Sequence, residues 1–433
     1  YVASTESNYG EGLNYVGADY VDGEEVIIPL GFYNIDLVIY EDGEETVYLM
    51  PLHAANIIFM SDIYYQAYYN GDMIYGLDTF DLSGQNMDTI NLVHRSSYNS
   101  REMTKEVKVA SYYSVALVMD YFYGLKTEKQ YTNFLENDIM KSSISAFVGG
   151  SDISLYNRVF TLSNLIDDLH TSHVLHGFYD LRKASSAPPE EQRGPNIQMF
   201  YNKLRAVQDS LVIKYGGNPA IQNHNFIVTQ RPEYTLLNNR TVAVIHIDGF
   251  TIDTPDLFKA TLDKLPSSVI DVVIDLSYNT GGNIGAVLRM FGYMTEEQYN
   301  YHSQNPADGS AVTYYIESDY VAYEYNWYIL TSGVTFSAAN MFASMARELG
   351  IPVIGQKSSG GASSIGAFVL PCGSVIMIST NNVLSTRIGN EIDGYEYVSV
   401  ETGVPVDYFL NNVVSDDQLI NAINQYKNSL ETE

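Results

Sequence analysis

The sequence predicts a mixed α/β protein, with an α/β core toward its C-terminal side preceded by a β-rich module and a helical segment. Three observations carry this. Between residues 240 and 355, apolar strand-like runs (TVAVIHIDGF at 241–250, VIDVVIDL at 269–276, WYIL at 327–330, IPVIG at 351–355) alternate with stretches whose apolar residues recur at helical steps. Before that core, the hydrophobic period changes at Thr104 from strand-like to helical. The length of 433 residues exceeds one small core and suits several domains. The boundaries read are 1–100 for the β-rich module, 101–185 for the helical segment, 186–239 for a linker and mixed segment, and 240–433 for the core.

Residues 26–88 are dense in tyrosine and contain two hairpin signals, Asp42-Gly43 between DLVIYE and EETVYLM, and Asn70-Gly71 between IYYQAYY and DMIYGLD. Both dipeptides tolerate the positive φ of tight hairpin turns. The tyrosines suit half-buried strand packing or a carbohydrate-binding face. Thr104 caps a helix expected to run to about Phe122, with Gly124 just past its end, and Thr127 with Gln130 has the pattern of a capping box for a second. A third helix is expected after Asp152, with Leu155, Val159, Leu162, Ile166 and Leu169 as its buried stripe. It leads into DDLHTSHVLH, which holds His170, His173 and His176. Steps of three scatter these histidines around a helix and place them on alternating sides of a strand, and no glutamate stands between them as in HExxH, so no metal site is read. The stretch 183–196, with SSAPPEEQRGPN, reads as a polar loop. In the core, a crossover helix is expected near 256–265, and Ser415 with Gln418 caps a C-terminal helix.

Composition narrows the function. Hydrophobic residues make up 45% of the chain, enough for a large core, and no apolar run approaches the length of a membrane span. The net charge of −29 argues against nucleic-acid or anionic-membrane partners, which need clustered Lys and Arg. Cys372 is the only cysteine, which excludes an internal disulfide and a thiolate metal cluster. No signal peptide is visible and the chain starts at Tyr1 rather than Met, so the expectation is an exported bacterial protein, extracellular or at the cell surface.

The stretch 327–364 carries the candidate chemistry. After WYIL the chain turns through 331–336 and places Ser337 ahead of Ala338, Met341, Phe342, Met345 and Leu349, a helical spacing. A serine between a strand and a helix N-terminus has an exposed hydroxyl beside unpaired N–H groups, as a nucleophile facing an oxyanion requires. The same position also suits a simple N-cap. Upstream, Gly281-Gly282 in SYNTGGNIGAVLRMFGYM opens a helix without the Lys-Ser/Thr of a P-loop or the GxGxxG spacing, which favours N–H donors for an oxyanion over a phosphate cradle.

Four motifs in order resemble peptidase family S41, over about residues 240–409: VIDLSYNTGG is similar to DLRxNxGG, TSGVTFSAAN to the T-x-SAAE nucleophile turn, IPVIGQKSSGG to VIGExTxGG, and VETGVPVDY to E-x-GV-x-PD. The resemblance implies a ClpP/crotonase-like ββα core, a protein or peptide substrate and no cofactor. It also implies a choice of base. Processing peptidases of the family use a lysine in the loop after the serine helix, whereas tricorn-like members have Gly-Gly there and take a histidine from the upstream helical region. Here the loop reads Gly360-Gly361, and DDLHTSH resembles the D-x-H motif, which picks out His170.

The implied site is therefore Ser337 as nucleophile, His170 as base, Glu401 or its rival Glu396 as the orienting carboxylate, and the N–H groups of Gly282 and Ala338 as the oxyanion hole. Ser277 stands where the family has the arginine of DLR, Asn340 where it has the glutamate after SAA, and Glu401 lies nearer GVP than usual. No G-L-G or G-I-G carboxylate-binding loop of a PDZ domain occurs between Gly177 and Arg240. The expected function is a secreted or cell-surface serine endopeptidase. The alternatives are a binding protein of the same fold without catalysis, and a Ser-Lys peptidase using Lys357.

Overall fold

The computed structural model describes residues 10–43, 45–82, 87–179, 193–390, 392 and 394–431. Most of the expected polar loop at 183–196 lies outside these residues.

The chain has the expected mixed α/β class, and a six-stranded sheet forms its core, in the order Tyr408–Phe409, Val353–Gly355, Asn326–Thr331, Asp271–Asp275, Val242–His246, Tyr234–Leu237. Its first five strands run parallel, and Tyr234–Leu237 closes the edge antiparallel. A parallel sheet is covered on both faces, so its strands must be apolar on both sides. Asp271–Asp275 is buried at every position. Successive side chains point to opposite faces: Val272 and Ile274 pack with the helices Thr254–Leu262, Ile284–Phe291 and Ala338–Glu348, while Val273 packs with the C-terminal helix Asp416–Leu430.

A seven-stranded sheet is built on the long strand Val375–Asn390. That strand pairs with Tyr299–Gln304, Ser363–Val369 and Gly394–Ser399, and also with the short strand Ser172–Leu175. The last pairing has a functional consequence. It docks the segment just after His170 onto the sheet that carries the loop after the serine helix, so that residues far apart in the chain meet. The strand Leu13–Val21 joins the same sheet at its edge, against Ala311–Ser318. The two hairpins expected from Asp42-Gly43 and Asn70-Gly71 form as Val38–Asp42 with Glu45–Leu49 and Tyr65–Tyr69 with Ile74–Asp78. Short helical turns over 52–63 lie between them.

In the helical segment, Thr104 accepts a hydrogen bond from the Val107 N–H and caps the helix Lys105–Tyr121 as expected. Two expectations are corrected. No helix begins at Thr127. Residues 124–130 form turns, and Gln130 adopts φ 57°, because no apolar stripe follows the capping pattern to support a helix. The third helix, Asp152–Leu165, ends four residues before Leu169: Asp167 turns left-handed at φ 59° and stops it. Leu169 and His170 therefore stand on a turn, not on the helix. Among the described residues, no helix is long and apolar enough to cross a membrane.

Candidate active site

The serine turn is built by side chains that answer backbone groups. After the strand Asn326–Thr331, the Ser332 hydroxyl donates to the Ser277 carbonyl at 2.6 Å and the Thr335 hydroxyl to the Leu276 carbonyl at 2.8 Å. Both bonds fasten the turn to the loop leaving Asp271–Asp275. Ser337 then takes φ 57° and ψ −125°, a region that side chains rarely occupy. Such a conformation costs about 1–3 kcal/mol and persists only where the surroundings enforce it. Here the Ser337 N–H donates to the Gly360 carbonyl at 2.8 Å, and the Phe336 N–H donates to the Asn279 carbonyl at 3.2 Å.

Ser337 occupies the N-cap position of the helix Ala338–Glu348, yet its hydroxyl caps nothing. It lies instead 2.9 Å from Nε2 of His170. The N-cap reading of this serine therefore gives way to a hydroxyl paired with a histidine.

The turn carrying His170 is held by Asp168. One carboxylate oxygen accepts the His170 N–H at 3.1 Å, and the other accepts the hydroxyls of Thr171 at 2.6 Å and Ser379 at 2.8 Å. Ser379 belongs to the long strand Val375–Asn390, so Asp168 ties the turn to the sheet. The imidazole packs on the Phe336 ring with centroids 4.7 Å apart. Burial pushes the His170 pKa below its ordinary value, and the nearby Asp168 carboxylate offsets this in part. At neutral pH the ring is thus neutral and able to take a proton.

The loop region supplies the rest. The bond from the Phe250 N–H to the Gly281 carbonyl and the bond from the Asn283 N–H to the Phe250 carbonyl flank Gly282 and leave its N–H outside the bridge. Gly282 and Ala338 both line a cleft of about 390 Å³ together with Ser337 and His170. The glycines are required by space as well as by φ. A Cβ on Gly281 would stand 2.7 Å from Cβ of Ser337, and one on Gly282 would stand 2.1 Å from the Phe250 carbonyl oxygen.

Glu401 is placed differently from expectation. Its Oε2 accepts the Ala362 N–H at 2.6 Å, and no hydrogen bond joins it to His170. Burial, with help from Asp168 and Glu128, pushes its carboxyl up to about 7, while the Ala362 N–H works the other way. Nδ1 of His170 is buried without a partner among the described residues. Glu396 is exposed on Gly394–Ser399, away from the cleft lining, so it is not the orienting group in this arrangement. The nearest charge acting on His170 is Asp168, a residue present in the DDLHTSH motif but given no role from sequence. Its signal was its place two residues before the histidine. Tyr123, whose buried hydroxyl lies in the field of both Asp168 and Glu401, left no such signal.

Lys357 is exposed and absent from the cleft lining. At Gly361, the position that aligns with the lysine of processing peptidases, φ is 77° and a Cβ would meet the Phe336 ring at 2.3 Å. The residues that depart from the family pattern have local roles. Asn340, fully buried, donates to the Val400 carbonyl at 3.1 Å and accepts the Ser358 hydroxyl at 2.6 Å, a task that a neutral amide performs without burying a charge. Ser277 is buried, and its carbonyl anchors the serine turn. His173 and His176 pack on one another with ring centroids 4.6 Å apart and planes tilted by 50°, and do not line the cleft.

The model of peptidase family S41 matches residues 241–406, the segment from the second core strand to the loop after Glu401. No curated protein matches the chain. Among solved structures, it is similar to a candidate peptidase from Parabacteroides merdae ATCC 43184 at 15% identity, covering 76% of this chain and 96% of that one with a TM-score of 0.49. It is also similar to a lipoprotein from Streptococcus agalactiae at 14% identity, covering 76% and 96% with a TM-score of 0.44. A third is the photosystem II D1 C-terminal processing protease, at 12% identity, 74% and 97% coverage and a TM-score of 0.44. The matched segment contains the serine turn and both glycine pairs; residues 241–406 are thus a peptidase family S41 segment, and the chain is a serine-type peptidase.

Proposed function

We propose that this peptidase is an endopeptidase that acylates Ser337, with His170 as general base and the N–H groups of Gly282 and Ala338 as the oxyanion hole. One observation carries the reading: the hydroxyl of a serine in a strained conformation caps no helix and stands 2.9 Å from Nε2 of His170. His170 Nε2 takes the Ser337 proton as Oγ attacks the scissile carbonyl, and the negative charge on the carbonyl oxygen faces the two backbone donors. The imidazolium then gives its proton to the leaving amine. A water deprotonated by the same nitrogen hydrolyses the acyl-enzyme and returns Ser337.

Asp168 stabilises the imidazolium by charge and holds its turn by three hydrogen bonds. Glu401 secures the loop through Ala362 and contributes no bond to the ring. The crowded Gly361 position supports the histidine branch over the lysine branch, since a lysine side chain there would have to displace Phe336.

Treatment with a fluorophosphonate, read by intact mass, tests the assignment. One adduct on the parent chain and none on Ser337→Ala is the expected result. Equal labelling of that variant removes Ser337 from the mechanism.

A further inference from the structure

We infer that the helix Pro195–Lys214, which lies outside the matched family segment, is the substrate-selecting wall of the cleft. The geometry points to a pocket for a large, uncharged apolar side chain next to the scissile bond, clamped to the catalytic base through Asp167. The inference rests on the proposed role of Ser337 and His170 and adds the substrate class to it.

The first support is the lining. The cleft around Ser337 takes Phe200, Tyr201 and Leu204 from this helix and Phe336, Met341 and Leu384 from the core. Among the described residues, no Asp, Glu, Lys or Arg lines it, in a chain of net charge −29. Among the described residues, the only titratable lining side chain other than tyrosine is His170, whose pKa burial lowers. A charged substrate side chain would lose its water there and find no counter-charge, whereas an apolar one would gain by burial. The volume of about 390 Å³ falls in the range of sites that enclose a ligand group.

The second support is how the wall is attached. Phe200 and Leu204 stand four residues apart on one helix face, and with Val207 they pack on Val334 and Phe336 of the serine turn. The Phe200 and Phe336 rings lie 5.5 Å apart, and Phe336 in turn carries the His170 ring, so aromatic contact runs unbroken from the wall to the base.

The helix N-terminus is fixed by Asp167. Its two carboxylate oxygens accept the N–H groups of Asn196 at 3.0 Å and Ile197 at 2.9 Å, which the helix itself leaves without acceptors. Gly194 sits so close that a Cβ there would be 2.1 Å from the Asp167 carboxyl carbon. Asp167 caps the wall while its neighbour Asp168 holds the base, so a two-residue unit sets the distance between the side-chain pocket and the reacting serine. Asp167 is thus a positioning residue for selectivity.

The test uses the full chain and fluorogenic hexapeptides that differ only in the residue before the scissile bond: Leu, Phe, Asp or Lys. Each is measured for kcat and KM beside fluorophosphonate labelling of Ser337. Leu and Phe peptides are expected to exceed Asp and Lys peptides in kcat/KM by about a hundredfold or more, the scale set by burying an unpaired charge. Leu204→Arg should turn the order toward Asp. Asp167→Ala should narrow the ratio between Leu and Lys peptides as well as lower kcat, whereas a purely structural role would lower all four peptides alike.

Labelled enzyme that cleaves all four peptides within about threefold of one another overturns the inference and leaves the role of Ser337 standing. Absence of both labelling and cleavage overturns the two together. A parent preference for Leu and Phe that survives both variants unchanged removes this helix from specificity.

Discussion

If the conformation of Ser337 is strained because the site imposes it, removing the side chain should show as stability. Ser337→Gly and Ser337→Ala both delete the hydroxyl and its contact with His170, so that loss cancels between them. They differ in one respect, because glycine alone is at ease at φ 57° and ψ −125°. Relief of the strain is worth about 1–3 kcal/mol. Against it, glycine loses about 0.4–1 kcal/mol through the greater entropy of the unfolded chain. It also forfeits part of the ~0.8 kcal/mol of a buried methyl carbon, only part because Ser337 is half-buried. The balance favours the glycine variant over the alanine variant by about 1 kcal/mol. Urea denaturation of the two variants side by side measures it, and neither turns over substrate to complicate the comparison. An alanine variant as stable as the glycine variant, or more so, would refute the claim that this turn stores strain.

The remaining expectations concern the base and the buried acids. His170→Ala should lower the acylation rate by roughly a thousandfold, while Lys357→Ala stays within a few-fold of the parent; pre-steady-state fluorophosphonate kinetics decide this, and the reverse pattern would assign the chain to the lysine branch. Because burial lowers the His170 pKa, the acid limb of kcat/KM should fall below the histidine value of 6.5. Asp168→Asn removes the charge that raises that pKa, so the limb should move to still lower pH while the plateau drops about tenfold or more; a drop with no movement of the limb would leave Asp168 a purely structural role. Glu401 has a folded-state pKa near 7 against its ordinary 4.5, so its contribution to stability is present below pH 4.5 and lost as pH rises through 7. Glu401→Gln should therefore gain on the parent between these values, by up to about 3 kcal/mol at pH 8, and urea midpoints at pH 5 and pH 8 that differ by the same amount in both proteins would contradict it.

Local patterns in the sequence determined the parts of this protein that local forces build. Short apolar runs rich in Val and Ile suit strands covered on both faces, and VIDVVIDL and IPVIG became part of the parallel core of the sheet. Gly281-Gly282 announced backbone that side chains would block, Gly360-Gly361 marked the histidine branch by resemblance, and each pair lies against the serine turn in the fold. Ser337, His170, Gly282 and Ala338 were named from motif order, and the fold brings them to one cleft.

What only the tertiary structure decided is how groups from separate segments share space. The helical stripe through Leu169 obeyed the right period, yet Asp167 breaks the helix because its carboxylate is needed at the N-terminus of Pro195–Lys214, a partner 29 residues away that no local pattern reveals. Glu401 was placed by its motif, but which donor it meets depends on the loop at Ala362 folding over it, and the bond it makes is to that N–H. The apolar wall from Phe200 and Leu204 likewise exists only because the helix packs on Phe336. Periodicity records which face of an element is buried, whereas the identity of what buries it is set by long-range packing that leaves no trace in spacing.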